Sequence, residues 1–169
     1  MDTWTCIRTR RTIRDFRPHP VPEATIRRTL EAGRLAPSAL NRQPWHFVVV
    51  RDRQRLGALA EACSTGRFVA QAAFAVVVAV DPQNRYHQID GAKAVQQMEL
   101  AAWSEGVGIC WIGGFDAARV AQLVSLPGEW AVLTVLAFGY PADAGRSRRK
   151  GVKKALDEAV SWERFGQRA

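Results

Sequence analysis

The run "FAVVVAV", Phe74 to Val80, constrains this chain more than any other stretch. It is short, apolar at every position and rich in β-branched valine, so it reads as a strand rather than a helix. A strand apolar on both faces belongs in the middle of a sheet. Asp81-Pro82 ends it. Three further runs supply neighbours for it: "HFVVV" (His46–Val50), "ICWI" (Ile109–Ile112) and "WAVLTVLAFG" (Trp130–Gly139). The last closes on a Tyr140-Pro141 turn.

Helical patterns fill the intervals. "VPEATIRRTLEAGRLAPS" carries Pro22 in its first turn, Ile26 and Leu30 on one face and Pro37 as a stop. Asp52 and Asp116 sit where N-caps belong, ahead of Arg53–Ala62 and of a short helix to Val124. The longest pattern, "IDGAKAVQQMELAAWSE", runs from Ile89 to Glu105. With no repeat, low-complexity tract or linker, residues 1–169 read as one domain of α+β or α/β type. It should hold about four core strands and four or five helices.

Charge narrows the partners. Lys and Arg outnumber Asp and Glu by a net +8, concentrated in Arg8–Arg17, Arg27–Arg34, Arg51–Arg55 and "RSRRKGVKK" (Arg146–Lys154). Such a surplus attracts nucleic acid, an anionic surface or a phosphorylated small molecule. Neither basic end interleaves aromatics or carries a helix-turn-helix or RNP-like pattern, which disfavours nucleic acid. The longest apolar run, Ala72–Val80, is too short to span a bilayer, and "MDTWTCIRTRR" lacks the apolar core of a signal peptide. Cys6, Cys63 and Cys110 are far apart and show no metal-ligand spacing. The expectation is a cytoplasmic protein with reduced thiols, no bound metal and no membrane contact.

Catalytic signatures are missing in an informative way. GxSxG, HExxH and convincing carboxylate pairs do not occur, and His19, His46 and His87 have no evident Cys, Ser or Asp partner. Hard chemistry would then belong to a cofactor, and no residue of the chain is expected to be catalytic itself. Three stretches fit a cofactor. In "TRRTIRDFR", Arg10, Arg11 and Arg14 with the Thr12 hydroxyl suit a phosphate monoester; a helix starting at Arg10 would set Arg10 and Arg14 on one face and add N–H groups. In "APSALNRQPWHF", two prolines stiffen a loop whose Asn41 and Gln43 amides can read a heterocycle edge. In "GVGICWIGGF", Gly113-Gly114 lets backbone approach a flat ligand. Each also has an ordinary reading: a solvated basic face, a plain loop, a tight turn.

In this order the stretches resemble the FMN-dependent nitroreductase family. "RRTIRDF" is similar to its N-terminal R-R-S/T-x-R-x-F, and "APSALNRQPWHFVVV" to its A-P-S-x-x-N-x-Q-P-W-x-F. "AVQQMELAAWSEGVGICWIGGF", "LAFGYP" and "KKALDEAVSWERFG" follow its central helix, G-Y-P turn and C-terminal motif. The resemblance implies an α+β fold, with a central mixed sheet of about four to five strands flanked by helices. It also implies a homodimer holding FMN at its interface, with NADH or NADPH as electron donor and a small-molecule acceptor. On that reading Arg10, Arg11, Thr12 and Arg14 hold the phosphate, joined by Lys153 and Lys154 near the C-terminus. Lys150 is an alternative there, because Gly151 replaces a basic residue of the motif. Pro37, Ser38, Ala39 and Asn41 of the partner chain frame the ring, with Gln43 in support, and Gly113 and Gly114 lie near flavin N5. The family also contains dehalogenating, heterocycle-oxidising and flavin-fragmenting enzymes, so the reaction stays open.

Overall fold

The computed structural model describes residues 1–142 and 153–168 of the chain. The apolar run forms β2 (Phe74–Val80), buried at every position. Its neighbours are β1 (Trp45–Val50) and β4 (Ala131–Gly139), and β3 (Gly108–Ile112) lies beyond β4, giving the order β1-β2-β4-β3. The period-two pleat divides β2 between two cores. Ala75 and Val77 face one cluster with Leu56, Leu59, Val120 and Val135. Phe74, Val76 and Val78 face the other, with Ile26, Val95, Met98 and Leu136. Phe74 and Phe138 stack across the β2–β4 pair with centroids 4.5 Å apart.

Helices cover both faces. On the first lie α3 (Arg53–Ala62) and α5 (Ala117–Leu123), and their caps are the expected ones: Asp52 accepts from Arg55 N–H at 2.9 Å and Asp116 from Arg119 N–H at 3.0 Å. On the second lie α2 (Glu23–Arg34) and α4 (His87–Ser104), packed on each other. Gly91, Ala94, Val95, Met98 and Ala102 make one buried stripe of α4, at the three-and-four spacing of a helix face. Two further helices are α1 (Thr3–Thr9), which packs on α4, and the exposed α6 (Leu156–Ala159). No described helix is long and apolar enough to cross a membrane.

Two expectations need correction. The sheet is not mixed through its ladders: β1–β2, β2–β4 and β3–β4 are all antiparallel. Parallel neighbours need a full crossover, whereas the α3 and α5 connections return the chain at the sheet end where it left. Parallel pairing among the described residues is confined to one isolated bridge, Thr12 to Ile109.

The second correction concerns the arginines. A helix does not start at Arg10; α1 stops there, and the chain runs extended along β3. Ile13 N–H donates to Ile109 O at 3.0 Å and Arg17 N–H to Tyr140 O at 2.8 Å. Extended backbone buries Ile13 and Phe16 in the first core while spreading the guanidinium groups that a helix turn would crowd together.

Gly108 makes this docking possible. A Cβ there would lie 2.7 Å from Ile13 Cβ and 2.4 Å from its Cγ1, atoms that a β-branched side chain cannot swing aside. Gly108→Val should therefore lower unfolding stability by about 1–3 kcal/mol, the usual cost of overpacking. Urea denaturation of the variant beside the parent chain measures it.

Candidate functional site

The extended segment after α1 delivers its side chains to two elements. Arg10 Nη1 donates to Glu99 Oε1 on α4 at 2.8 Å, with both side chains mostly buried. The Arg11 guanidinium lies 5.8 Å from the Trp103 ring centroid, and Trp103 Nε1 donates to Thr9 Oγ1 at 2.9 Å. Glu99 and Trp103 are one turn apart, so a single face of α4 receives both arginines. Thr12 and Arg14 are exposed. Arg14 reaches the buried Cys110 of β3, whose thiol is pushed up by burial while the Arg14 charge and hydrogen bond pull the other way.

Glu99 gives a measure of this pocket. Burial pushes its carboxyl above the ordinary Glu value even though the charge and hydrogen bond of Arg10 act against that shift. The ion pair is thus formed in a poorly solvated place, where a further anion would meet strong fields.

The same strand continues into the diglycine. Gly113 and Gly114 begin four and five residues after the Thr12–Ile109 bridge, about 13–17 Å along an extended chain. Gly114 N–H donates to Thr65 Oγ1 at 3.1 Å, and Thr65 N–H donates to Gly114 O at 3.3 Å. A Cβ on Gly114 would strike Thr65 Oγ1 at 2.6 Å, whereas one on Gly113 would meet nothing within 4 Å. The turn is fixed on one side and open on the other.

The loop of Pro37–Gln43 stands elsewhere. Ala39–Asn41 forms a 3-10 turn, and Leu40, Asn41 and Gln43 have positive φ of 51°, 54° and 49°. Side chains other than glycine meet steric resistance there. Local bonds hold the turn: Gln43 N–H donates to Ser38 Oγ at 2.9 Å and Gln43 Nε2 to Asn41 O at 3.2 Å. Pro37, Asn41 and Gln43 are exposed. Ala39 N–H crosses to α4 and donates to Asp90 Oδ2 at 3.0 Å.

Asp90 and Glu99 are nine residues apart on α4, about 13.5 Å along its axis and about two and a half turns around it. They point to opposite sides. Within one chain the structure therefore brings Arg10, Arg11, Thr12, Arg14 and the diglycine along β3, and keeps the Pro37–Gln43 loop beyond the body of α4. Lys153 and Lys154 are exposed ahead of α6. Lys150 and Gly151 lie outside the described residues.

A model of the nitroreductase family matches residues 7–92 and 64–140. The chain belongs to the nitroreductase family. A protein of Archaeoglobus fulgidus whose name couples NADH dehydrogenase with NAD(P)H nitroreductase is 36% identical, over 81% of this chain and 84% of its own. A 5,6-dimethylbenzimidazole synthase of Rhodospirillum rubrum is 28% identical, over 79% of each chain. The crystal structure of a Bacteroides fragilis nitroreductase with bound FMN superposes with a TM-score of 0.78 at 26% identity, covering 90% of this chain and 95% of that one. The nitroreductase fold and an FMN-dependent oxidoreductase follow for this chain.

Asp90, Glu99, Trp103 and Thr65 escape a reading by motif. Asp90 and Gly91 lie in register with Ala94, Val95 and Met98, so the helical stripe marks the acid as buried, and that was the available signal. Thr65 has no comparable sign. In the fold Asp90 is fully buried. Burial alone would raise its carboxyl, but the hydrogen bond from Lys93 Nζ at 2.9 Å, the Ala39 N–H and the Lys93 charge hold it below the ordinary Asp value. Lowered in the fold, the ionised group adds stability above the unfolded-state pKa of about 4 and loses it as pH falls through the folded value. The stability advantage of the parent over Asp90→Asn should be constant from pH 5 to 7 and shrink toward pH 3. Urea midpoints across that range test the sign.

Proposed function

We propose that this nitroreductase-family protein works as a homodimer, carrying FMN at each of two interface sites and taking electrons from NADH or NADPH. Bound there, FMN would supply hydride-transfer chemistry between the nicotinamide and a nitroaromatic, quinone or similar electron-poor acceptor. The observation that carries the reading is the alignment along β3 of a basic, hydroxyl-bearing segment with an open diglycine turn. Arg10, Arg11, Thr12 and Arg14 form one end, with guanidinium donors suited to a phosphate. Gly113 and Gly114 form the other, where a flat ring can lie against backbone.

The chain's residues bind, orient and polarise; none needs to act as acid or base. The Arg10 guanidinium is held by Glu99, and its remaining N–H donors would face the phosphate. Exposed Arg14 and Thr12 add charge and a hydroxyl beside it. Lys153 and Lys154 would join from the C-terminal segment. Because Thr65 takes the Gly114 N–H, the Gly113 backbone is the better placed of the two to meet N5.

Placement of Pro37, Ser38, Ala39, Asn41 and Gln43 supports assembly with a second copy. These residues stand on the far side of α4 from the arginines, so a two-fold partner is the natural source of a loop to frame the ring. Apolar side chains exposed in the single chain point the same way: Trp4, Ile7, Leu40, Ile89, Leu156, Trp162 and Phe165. Three free, buried cysteines accord with work in the cytoplasm. The +8 charge is then spent on cofactor phosphate rather than nucleic acid.

The likeness to a 5,6-dimethylbenzimidazole synthase favours one second reading, the same flavin site turned to other chemistry. Three measurements decide. The purified protein should show flavin absorbance that NADH or NADPH bleaches and a nitroaromatic or quinone restores; no bleaching by either nicotinamide would sink the main reading. The pair Arg10→Ala with Arg14→Ala should weaken FMN binding at least about 100-fold, since each charge-assisted hydrogen bond is worth about 1.5–3 kcal/mol, yet leave riboflavin binding nearly unchanged. Sedimentation of the flavin-loaded protein should give a dimer; a monomer retaining flavin would contradict the shared site.

A further inference from the structure

Asp90 is a carboxylate with no exposed surface, and such a group on an apolar helix face is costly unless it is paired. Among the described residues two donors reach it: Lys93 Nζ at 2.9 Å and Ala39 N–H at 3.0 Å. Lys93 is on the same helix and its own side chain is 45% exposed, so it could neutralise an acid on the surface equally well. What requires burial is the second donor, a backbone N–H brought from 51 residues away.

That N–H belongs to the first residue of the 3-10 turn. Among the described residues, the other hydrogen bonds within the turn are local: Asn41 N–H to Ser38 O at 3.0 Å, Arg42 N–H to Ala39 O at 3.1 Å and Trp45 N–H to Gln43 O at 2.8 Å; past its end, Pro44 O accepts from Asp81 N–H at 3.1 Å. The local bonds shape the turn, and the Asp81 bond holds only its exit into β1, leaving Ser38–Gln43 without another tie to the body among the described residues. Three residues of the turn hold positive φ, a conformation that persists only when the surroundings over-determine it. Leu40 gains nothing by packing within its own chain, since it is 86% exposed there.

From this geometry we infer that Asp90 is the positioning residue of the Pro37–Gln43 loop. Its buried carboxylate ties the loop to the first turn of α4, so that Ser38, Ala39 and Asn41 arrive preformed at the flavin ring of the partner's site. The inference rests on the flavin reading above and deepens it. The helix assists: a carboxylate in the first turn of α4 faces the positive end of the helix dipole. A loop left free would pay its ordering cost whenever flavin bound, and affinity would fall by that amount.

The test separates the two ends of the cofactor. Full-length protein is titrated with riboflavin and with FMN, following flavin fluorescence and visible circular dichroism. Asp90→Ala removes the acceptor. Ala39→Pro removes the donor and leaves Asp90 paired with Lys93, so it decides the matter if Asp90→Ala does not fold; proline suits the first position of a helical turn. Both variants should weaken riboflavin and FMN by the same factor, at least about tenfold for a lost hydrogen bond to a charged group, and alter the circular dichroism of bound flavin. The arginine double variant should weaken FMN alone. Parent-like riboflavin affinity in a folded Ala39→Pro protein would overturn the inference while leaving the flavin reading intact. Failure of the parent chain to bind either flavin would overturn both.

Discussion

Everything in this molecule leans on β2, whose seven side chains are all buried. A strand buried on both faces must be sandwiched, and each cover must be apolar toward it. The cover formed by α2 and α4 is the one that matters for chemistry. Its long helix meets the sheet through small and apolar residues, and its flanks are left to carry charge. Asp90 and Glu99 sit on those flanks, displaced around the axis so that each meets a different segment of chain. A core requirement thereby places two anchor points, one for the arginine segment and one for the strained loop. The spacing between them is that of the helix itself.

Much of the fold was legible because its elements obey strong local rules. Arg53–Ala62 and Phe74–Val80 form over the residues that a capping aspartate and a valine run define. Periodicity and turn chemistry also located the other strands to within a residue or two. What local charge could not show was its tertiary partner. Arg10–Arg14 carries good helix formers, yet Ile13 and Phe16 have a core to reach, and the sheet edge at Ile109 offers backbone hydrogen bonds that a helix would forgo. Tertiary contact overrode propensity, as it commonly does for short segments.

The candidate site was legible as a set of pieces rather than as a geometry. Pro37 to Gln43 and Gly113-Gly114 stand out by composition, since proline, amide and glycine each restrict what backbone can do. Three positive φ values at Leu40, Asn41 and Gln43 were not legible, because two of those side chains give no hint of left-handed backbone and Asn41 gives only a weak one. Nor was it visible that Gly114 is already bonded to Thr65, for a single threonine in "CSTG" has no distinguishing pattern. Residues that touch a ligand tend to be unusual in type; residues that hold them in place are ordinary, and only contacts reveal them.

The arginines illustrate the same division in energetic terms. Four guanidinium groups between Arg10 and Arg17 would repel one another if left in one region without countercharge. The fold relieves that by degrees: Arg10 is paired with Glu99, Arg11 lies over an indole ring, and Arg14 keeps its exposure beside a thiol. Glu99 has a second effect. It lowers the positive potential a phosphate would feel from Arg10, since one carboxylate already shares that guanidinium. It also holds the guanidinium in one orientation, so less side-chain entropy is lost when an anion arrives. Attraction is traded for preorganisation at Arg10 and retained at Arg14. An anion approaching this edge of the sheet is therefore drawn chiefly by the exposed charge and oriented chiefly by the buried one.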